Sequence, residues 1–293
     1  LNKRFLFIVS YLAPATLLYG LFVIFPLVQS FQISLYHWRG VSLNRQFVGR
    51  ENYSRLTGDS VFWQALRNNL WLLVFVGICA IVLGVTVAHF MQGKGKLSRF
   101  VRSIYLFPQA ISLVVVSILW MFIYNPSFGL LSDGLKRLGL TALDRTWLGD
   151  PHTALPSVAI AFLWYIAGFY IMLFAAGLRS IPDEVNEAAS LDGAAGLRKF
   201  WRITWPMLWS IKRVAAVYVV INVMNVFALV YLMTQGGPDR KSEVMLTYLY
   251  EQAFKNSDFG YATTLAVANF VIAMLLAALV MLAYRRNPEA ARS

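Results

Sequence analysis

Cysteine, histidine and charge are all scarce in this sequence. One cysteine, Cys79, and three histidines stand among 293 residues. A single cysteine excludes an internal disulfide framework and the usual cysteine-rich zinc site. The histidines, His37, His89 and His152, are scattered, and no HExxH pairing brings two of them to one helix face. Asp, Glu, Lys and Arg make up 14% of the chain, against about 25% in an average soluble domain. With 58% hydrophobic residues, that composition also excludes disorder and collagen-like structure, which need the opposite balance. Acidic residues are the scarcer sign, 14 against 26 basic, for a formal net charge of +12. Such a surplus would fit nucleic acid only if it were gathered on one soluble face, and here the cations lie between apolar blocks.

What the chain has in abundance is long apolar runs. A transmembrane helix needs about 20 predominantly apolar residues. Six windows meet that length: Phe5–Val28, Leu70–Met91, Ile104–Tyr124, Pro156–Leu178, Val214–Leu232 and Thr264–Tyr284, none containing Asp, Glu, Lys or Arg. The predicted fold class is therefore all-α, a polytopic membrane protein with six transmembrane helices. The first window follows Lys3 and Arg4, as a signal peptide would. Its apolar run exceeds the roughly 7–15 residues of a signal core, and it carries Pro14, Gly20 and Pro26, so it is read as a retained span.

Basic residues between spans set the orientation. One side receives Lys3, Arg4 and the segments 92–103, 179–213 and 285–293, with 15 basic against five acidic residues. The other side receives 31–69, 125–155 and 233–263, with 11 basic against nine acidic. Both termini are expected in the cytoplasm, and no nucleic-acid partner is expected.

Uncharged spans bear on mechanism. Proton- or voltage-driven carriers place ionisable groups in the membrane; here only His89, at a span end, qualifies, and it reads as interfacial. The run Gln92-Gly-Lys-Gly-Lys-Leu-Ser98 lacks the GxxxxGK[ST] spacing of a phosphate loop and reads as a basic turn. No catalytic set and no nucleotide engine is visible, so any energy source lies outside the chain. The alternative function is a self-contained secondary carrier or channel.

The longest cytoplasmic loop, 179–206, has structure of its own. Ser180 is placed to cap a helix with Pro182 in its first turn, and Asp183 and Glu184 face its positive end. Gly193 permits the left-handed backbone that ends a helix. Leu197, Phe200, Trp201 and Thr204 then recur at helical spacing before Pro206. The prediction is a helical hairpin with small residues at its tip, suited to a groove on a cytoplasmic partner.

Within this loop, Glu187-Ala188-Ala189-x-x-Asp192-Gly193-Ala194, followed by Phe200, Ile203 and Pro206, resembles the EAA loop of ATP-binding-cassette importer permeases, in the carbohydrate-uptake group with the maltose and glycerol-phosphate permeases. Phe47-Val-Gly-Arg-Glu-Asn-Tyr53, Phe62-Trp-x-Ala-Leu-x-Asn68, Trp147-Leu-Gly-Asp150 and Thr234-Gln-Gly-Gly-Pro238 are similar to family passages in the same order; Arg50 departs from the commoner apolar residue. The likeness runs from about Tyr11 to Tyr284. It implies a single permease domain over 1–293 in a bacterial or archaeal cytoplasmic (inner) membrane. It also implies that the loop is the coupling helix, with Glu187 meeting a basic group of an ATPase subunit and Gly193 shaping the turn. The implied partners are a second homologous permease, two ATPase subunits that bind ATP and Mg, an extracytoplasmic solute-binding protein and the bilayer. The chain itself is expected to hold no cofactor and no metal, and to catalyse no reaction.

A sugar path is sought among polar and aromatic groups in the spans. Tyr218, Asn222, Asn225 and Leu229 fall on one predicted face of the fifth span, and Tyr165, Gly168, Phe169 and Met172, with Trp164 beside them, on another of the fourth. Amides in hydrocarbon need hydrogen-bond partners, so the two asparagines are expected to line a seam or cavity. Aromatic faces beside amides suit sugar rings, and the absence of fixed charge favours a mostly neutral di- or oligosaccharide, with glycerol phosphate, acidic oligosaccharides and larger glycans left open.

Overall fold

The computed structural model describes residues 3–40, 44–91, 105 and 107–285. Within them the regular structure is helical apart from one short antiparallel hairpin, Tyr36–His37 with Gln46–Phe47. Four helices are long and apolar enough to cross a membrane: Phe7–Ile33, Ser60–Phe90, Ala154–Arg179 and Phe259–Ala283. The other two expected spans are interrupted. The third is represented by Leu113–Ile123, with Ser112 at its N-cap, and the start of its window lies outside the described residues. The fifth, expected to be continuous over Val214–Leu232, ends its helix at Met224 and resumes at Ala228–Met233. Before it, Gly196–Met207 meets Trp209–Met224 at 71°. Pro206 contributes to that bend, because it has no N–H to extend the ladder.

The chain divides into two compact units. The first comprises residues 1–62 and 248–271. Its leading helix exposes Phe7, Tyr11, Leu17 and Phe22 around its circumference, which is tolerable only where the surroundings are themselves apolar. Beyond that helix the unit is tied by buried polar groups. The Asn52 amide donates to the carbonyls of Ser34 (2.8 Å) and Tyr36 (3.1 Å), and the Thr264 hydroxyl reaches the same Ser34 oxygen at 3.2 Å. Gly260 packs so closely on the Tyr36 carbonyl that no side chain could stand there. Asp59 accepts from the hydroxyls of both Tyr248 and Tyr261, and from the amides of Val61 and Phe62. Partial burial pushes its carboxyl up, but these donors outweigh that and hold it below the ordinary aspartate value.

The second unit comprises residues 63–247 and 272–293. Its core gathers Leu72, Val76, Tyr170, Phe174, Val219, Val223 and Leu229 from four helices. Glycines set how closely these helices approach. A methyl group on Gly84 would lie 2.9 Å from the Phe174 ring, and one on Gly177 2.6 Å from Ile211. The loop 233–247 is strapped to the start of the Ser60–Phe90 helix. Gln64 donates to the Arg240 carbonyl (2.7 Å), and Asn68 to those of Lys241 (3.1 Å) and Glu243 (2.8 Å). Fully buried Asn69 donates to Val223 and accepts from the Met245 amide, each at 2.9 Å. Gly236 takes φ +82°, and the buried Glu243 carboxylate lies 2.6 Å from where a side chain would start.

Candidate functional site

The loop 179–206 folds as a helical hairpin. Its first arm is Asp183–Leu191, with Asp183 and Glu184 in the first turn, where carboxylates oppose the helix dipole favourably. The capping differs from expectation. Pro182 occupies the N-cap with extended ψ of 143°, and the Ser180 hydroxyl instead donates to the Gly177 carbonyl at 2.8 Å, closing the preceding helix. The reason is local: Ser180 is still helical, at φ −79° and ψ −9°, so its oxygen cannot face the next helix's amides.

The far end behaves as the glycine predicts. Gly193 sits at φ +71°, its N–H bonds to the Ser190 carbonyl (3.2 Å), and the Ala194 N–H reaches back to Ala189 (2.8 Å). This pair of bonds is a Schellman closure, which satisfies carbonyls the helix end leaves orphaned. Gly196 repeats the positive φ at +55°, turning the chain into the second arm. That arm begins as Gly196–Lys199 and passes through a π turn, Phe200–Thr204, before Trp205–Met207.

The hairpin is anchored at its base and bare at its tip. Ala189, Ile181 and Thr204 are buried, whereas Leu191 is 89% exposed, Leu197 77% and Trp201 59%. Glu187, Ala188, Asp192 and Gly193 are exposed as well, and Ala194, Phe200 and Pro206 are half-buried. The Phe200 ring lies 6.1 Å from that of His89, so this histidine joins an aromatic contact, and Trp205 lies under the Lys212 ammonium at 4.2 Å. Three large apolar side chains in the open within about ten residues form a patch that a partner would cover.

In the membrane helices the structure brings together part of the expected path. The rings of Phe169 and Tyr218 meet at 4.1 Å between centroids, tilted by 32°, joining the Ala154–Arg179 and Trp209–Met224 helices. Asn222 follows one turn beyond Tyr218 and Asn225 closes the helix, but neither amide bridges helices. Each donates to a carbonyl of its own helix at 2.8 Å, Asn222 to Tyr218 and Asn225 to Ile221. This local bond engages one N–H of each amide, and among the described residues Oδ1 of each has no partner. Leu229 does not share their face. The break at 225–227 intervenes, and Leu229 is fully buried in the core.

On the facing helix, Trp164 turns to Trp120 (5.9 Å), in a row with Tyr124 and Trp147. Tyr165 is half-buried against the core beside Phe169. Gly168 and Met172 line a separate crevice of about 150 Å³ with Ile171, Ala175 and Arg179. The run 92–98 lies outside the described residues. No group of three His, Cys, Asp or Glu able to hold a metal occurs among the described residues.

Several structural residues escaped the sequence reading. Gln64, Asn69, Glu243, Asp59, Tyr248 and Tyr261 make contacts across long stretches of chain, which no periodicity reports. A partial signal existed: the passage Phe62–Asn68 holds Gln64 and Asn68, whose strap bonds end at 240–243, just beyond the passage Thr234–Pro238.

Residues 80–290 match the family model described as "Binding-protein-dependent transport system inner membrane component". The probable ABC transporter permease protein YurN of Bacillus subtilis is 37% identical over 281 residues, spanning 95% of this chain and 96% of its own length. The diacetylchitobiose uptake system permease protein NgcF of Streptomyces coelicolor is 34% identical over 293 residues, spanning 96% of this chain and 83% of its own. A chain in the crystal structure of a bacterial ABC transporter involved in the import of the acidic polysaccharide alginate has a TM-score of 0.83 at 23% identity. That match covers 98% of this chain and 97% of the other, a likeness of fold.

Proposed function

This chain belongs to the family of binding-protein-dependent transport system inner membrane components, and from that premise we propose that it is the permease subunit of a carbohydrate importer. The sugar reading draws on relatives such as the diacetylchitobiose permease and on the tilted Phe169–Tyr218 pair beside two amides. An aromatic pair offers a face to a pyranose ring, and the free Oδ1 atoms of Asn222 and Asn225 offer acceptors to hydroxyls. Trp164 and Tyr165, about one turn before Phe169 on the same helix, are assigned to the same path. The solute is mostly neutral, a di- or oligosaccharide.

The chain acts as one permease domain in a cytoplasmic membrane, with both termini inside. It pairs with a second permease and two ATPase subunits, which bind ATP and Mg and hydrolyse the nucleotide, while a solute-binding protein delivers sugar from outside. Glu187, Ala188, Ala189, Asp192, Gly193, Ala194, Phe200 and Pro206 form the coupling element. The observation that carries this role is the closed hairpin with a buried base and an exposed apolar tip. A rigid lever of this kind transmits displacement from a partner to the helices at its two ends, whereas a mobile loop would absorb it.

The test is sugar uptake by membranes containing the whole transporter. Glu187→Lys, at an exposed position where the fold tolerates it, is expected to abolish uptake and release the ATPase on purification. Full uptake by this variant, or accumulation by the permease alone in liposomes, would overturn the reading in favour of a self-contained carrier.

A further inference from the structure

The first unit contains a polar cavity that nothing above uses. It encloses about 390 Å³ and is lined by His37, Gln46, Val48, Glu51, Asn52 and Arg55, within the range of small-molecule pockets. The fold builds it from two pieces. His37 and Gln46 are the directly paired residues of the hairpin, so their side chains leave the same face. Glu51, Asn52 and Arg55 share one side of the helix Glu51–Gly58.

Two of the groups are held in place from behind. Asn52, 5% exposed, uses both amide hydrogens on the Ser34 and Tyr36 carbonyls, and among the described residues its Oδ1 has no partner. The Arg55 guanidinium is bonded to Asp258 at 2.7 Å and lies 3.9 Å over the Tyr261 ring, leaving its other N–H groups for the cavity. Positions set by such supporting contacts lose little freedom when a ligand binds.

The lining selects its ligand by elimination. An anion would meet the Glu51 carboxylate, a cation the Arg55 guanidinium, and an apolar molecule only Val48. What remains is a molecule whose own groups both donate and accept, several times over a small volume. Planar amide, carboxylate, guanidinium and imidazole groups pair with adjacent hydroxyls of that kind. We infer that this cavity is a carbohydrate subsite on the extracytoplasmic side, where sugar rests before entering the membrane. The inference depends on the sugar-import reading and deepens it.

The experiment uses the complete transporter with its permease and ATPase partners in nanodiscs, without binding protein. Diacetylchitobiose, xylose and an alginate trisaccharide are titrated calorimetrically, and uptake of each is measured in parallel in proteoliposomes supplied with the binding protein. At least one sugar is expected to bind. Gln46→Ala should weaken it about 3- to 10-fold, the loss of one neutral hydrogen bond, and Glu51→Ala about 10-fold or more, the loss of a charged one. Both cavity side chains are exposed and bond to no other described residue, so the variants fold. Uptake without any titration overturns the subsite alone, as does binding that neither variant alters. Variants that weaken attachment of the binding protein while sugar binding persists overturn it in favour of a docking surface. Neither uptake nor titration with any of the three sugars overturns the import reading along with it.

Discussion

Gly193 offers a quantitative test of the hairpin. Its φ is +71°, and a side chain added there would meet nothing within 4 Å. The cost of substitution is therefore conformational and not steric. For an L-residue held in the left-handed region it is about 1–2 kcal/mol. At about 1.4 kcal/mol per factor of ten, Gly193→Ala should weaken the closed turn about 5- to 30-fold against open alternatives. Where docking requires the closed turn, the apparent affinity for the ATPase falls with its population, up to the same factor. Gly193→Asn should fall between, since asparagine tolerates this region. Gly193→Leu should match alanine, because space is available. Gly193→Pro should abolish docking, because proline fixes φ near −65° and removes the N–H that bonds Ser190. The assay is retention of labelled ATPase subunit on immobilised permease, with uptake measured alongside. Alanine equal to glycine, or leucine far worse than alanine, would refute the reasoning.

Two further outcomes probe the scaffold. Asn69→Ala removes the side-chain partner of the Met245 amide and one donor to the Val223 carbonyl in a fully buried place, and should cost about 2 kcal/mol or more. Asn225→Ala, at an exposed position bonded only within its helix, should stay within about 0.5 kcal/mol; thermal unfolding in detergent compares them. The Asp59 carboxyl is depressed in the folded chain, so its contribution is present above the unfolded value near 3.9 and is lost as pH falls through the folded one. Asp59→Asn should therefore flatten the acid limb of stability against pH, and an unchanged limb would contradict the network.

The spans were legible because hydrocarbon leaves few options. Backbone groups must bond internally, side chains must be apolar, and both demands act residue by residue along the chain. The hairpin was legible for a related reason: helix ends need local remedies, and Gly193 is one, visible in the sequence. Ser180 misled because a serine before a proline and two acids fits either end of a turn, and the backbone angles decide which helix it closes.

Composition and periodicity alone determined that this chain is helical and membrane-embedded, and that its loop 179–206 folds as a hairpin. The tertiary structure alone decided the rest. It broke the fifth span after Asn225, moved Leu229 into the core, and turned the asparagine amides onto their own helix. It also joined Gln64 and Asn68 to a loop some 170 residues away and paired His37 with Gln46 over a cavity. The physical division is one of range. Desolvation and helix-end bonding are local costs that each stretch of sequence meets by itself, while the partner of a buried polar group depends on which distant segment packs against it.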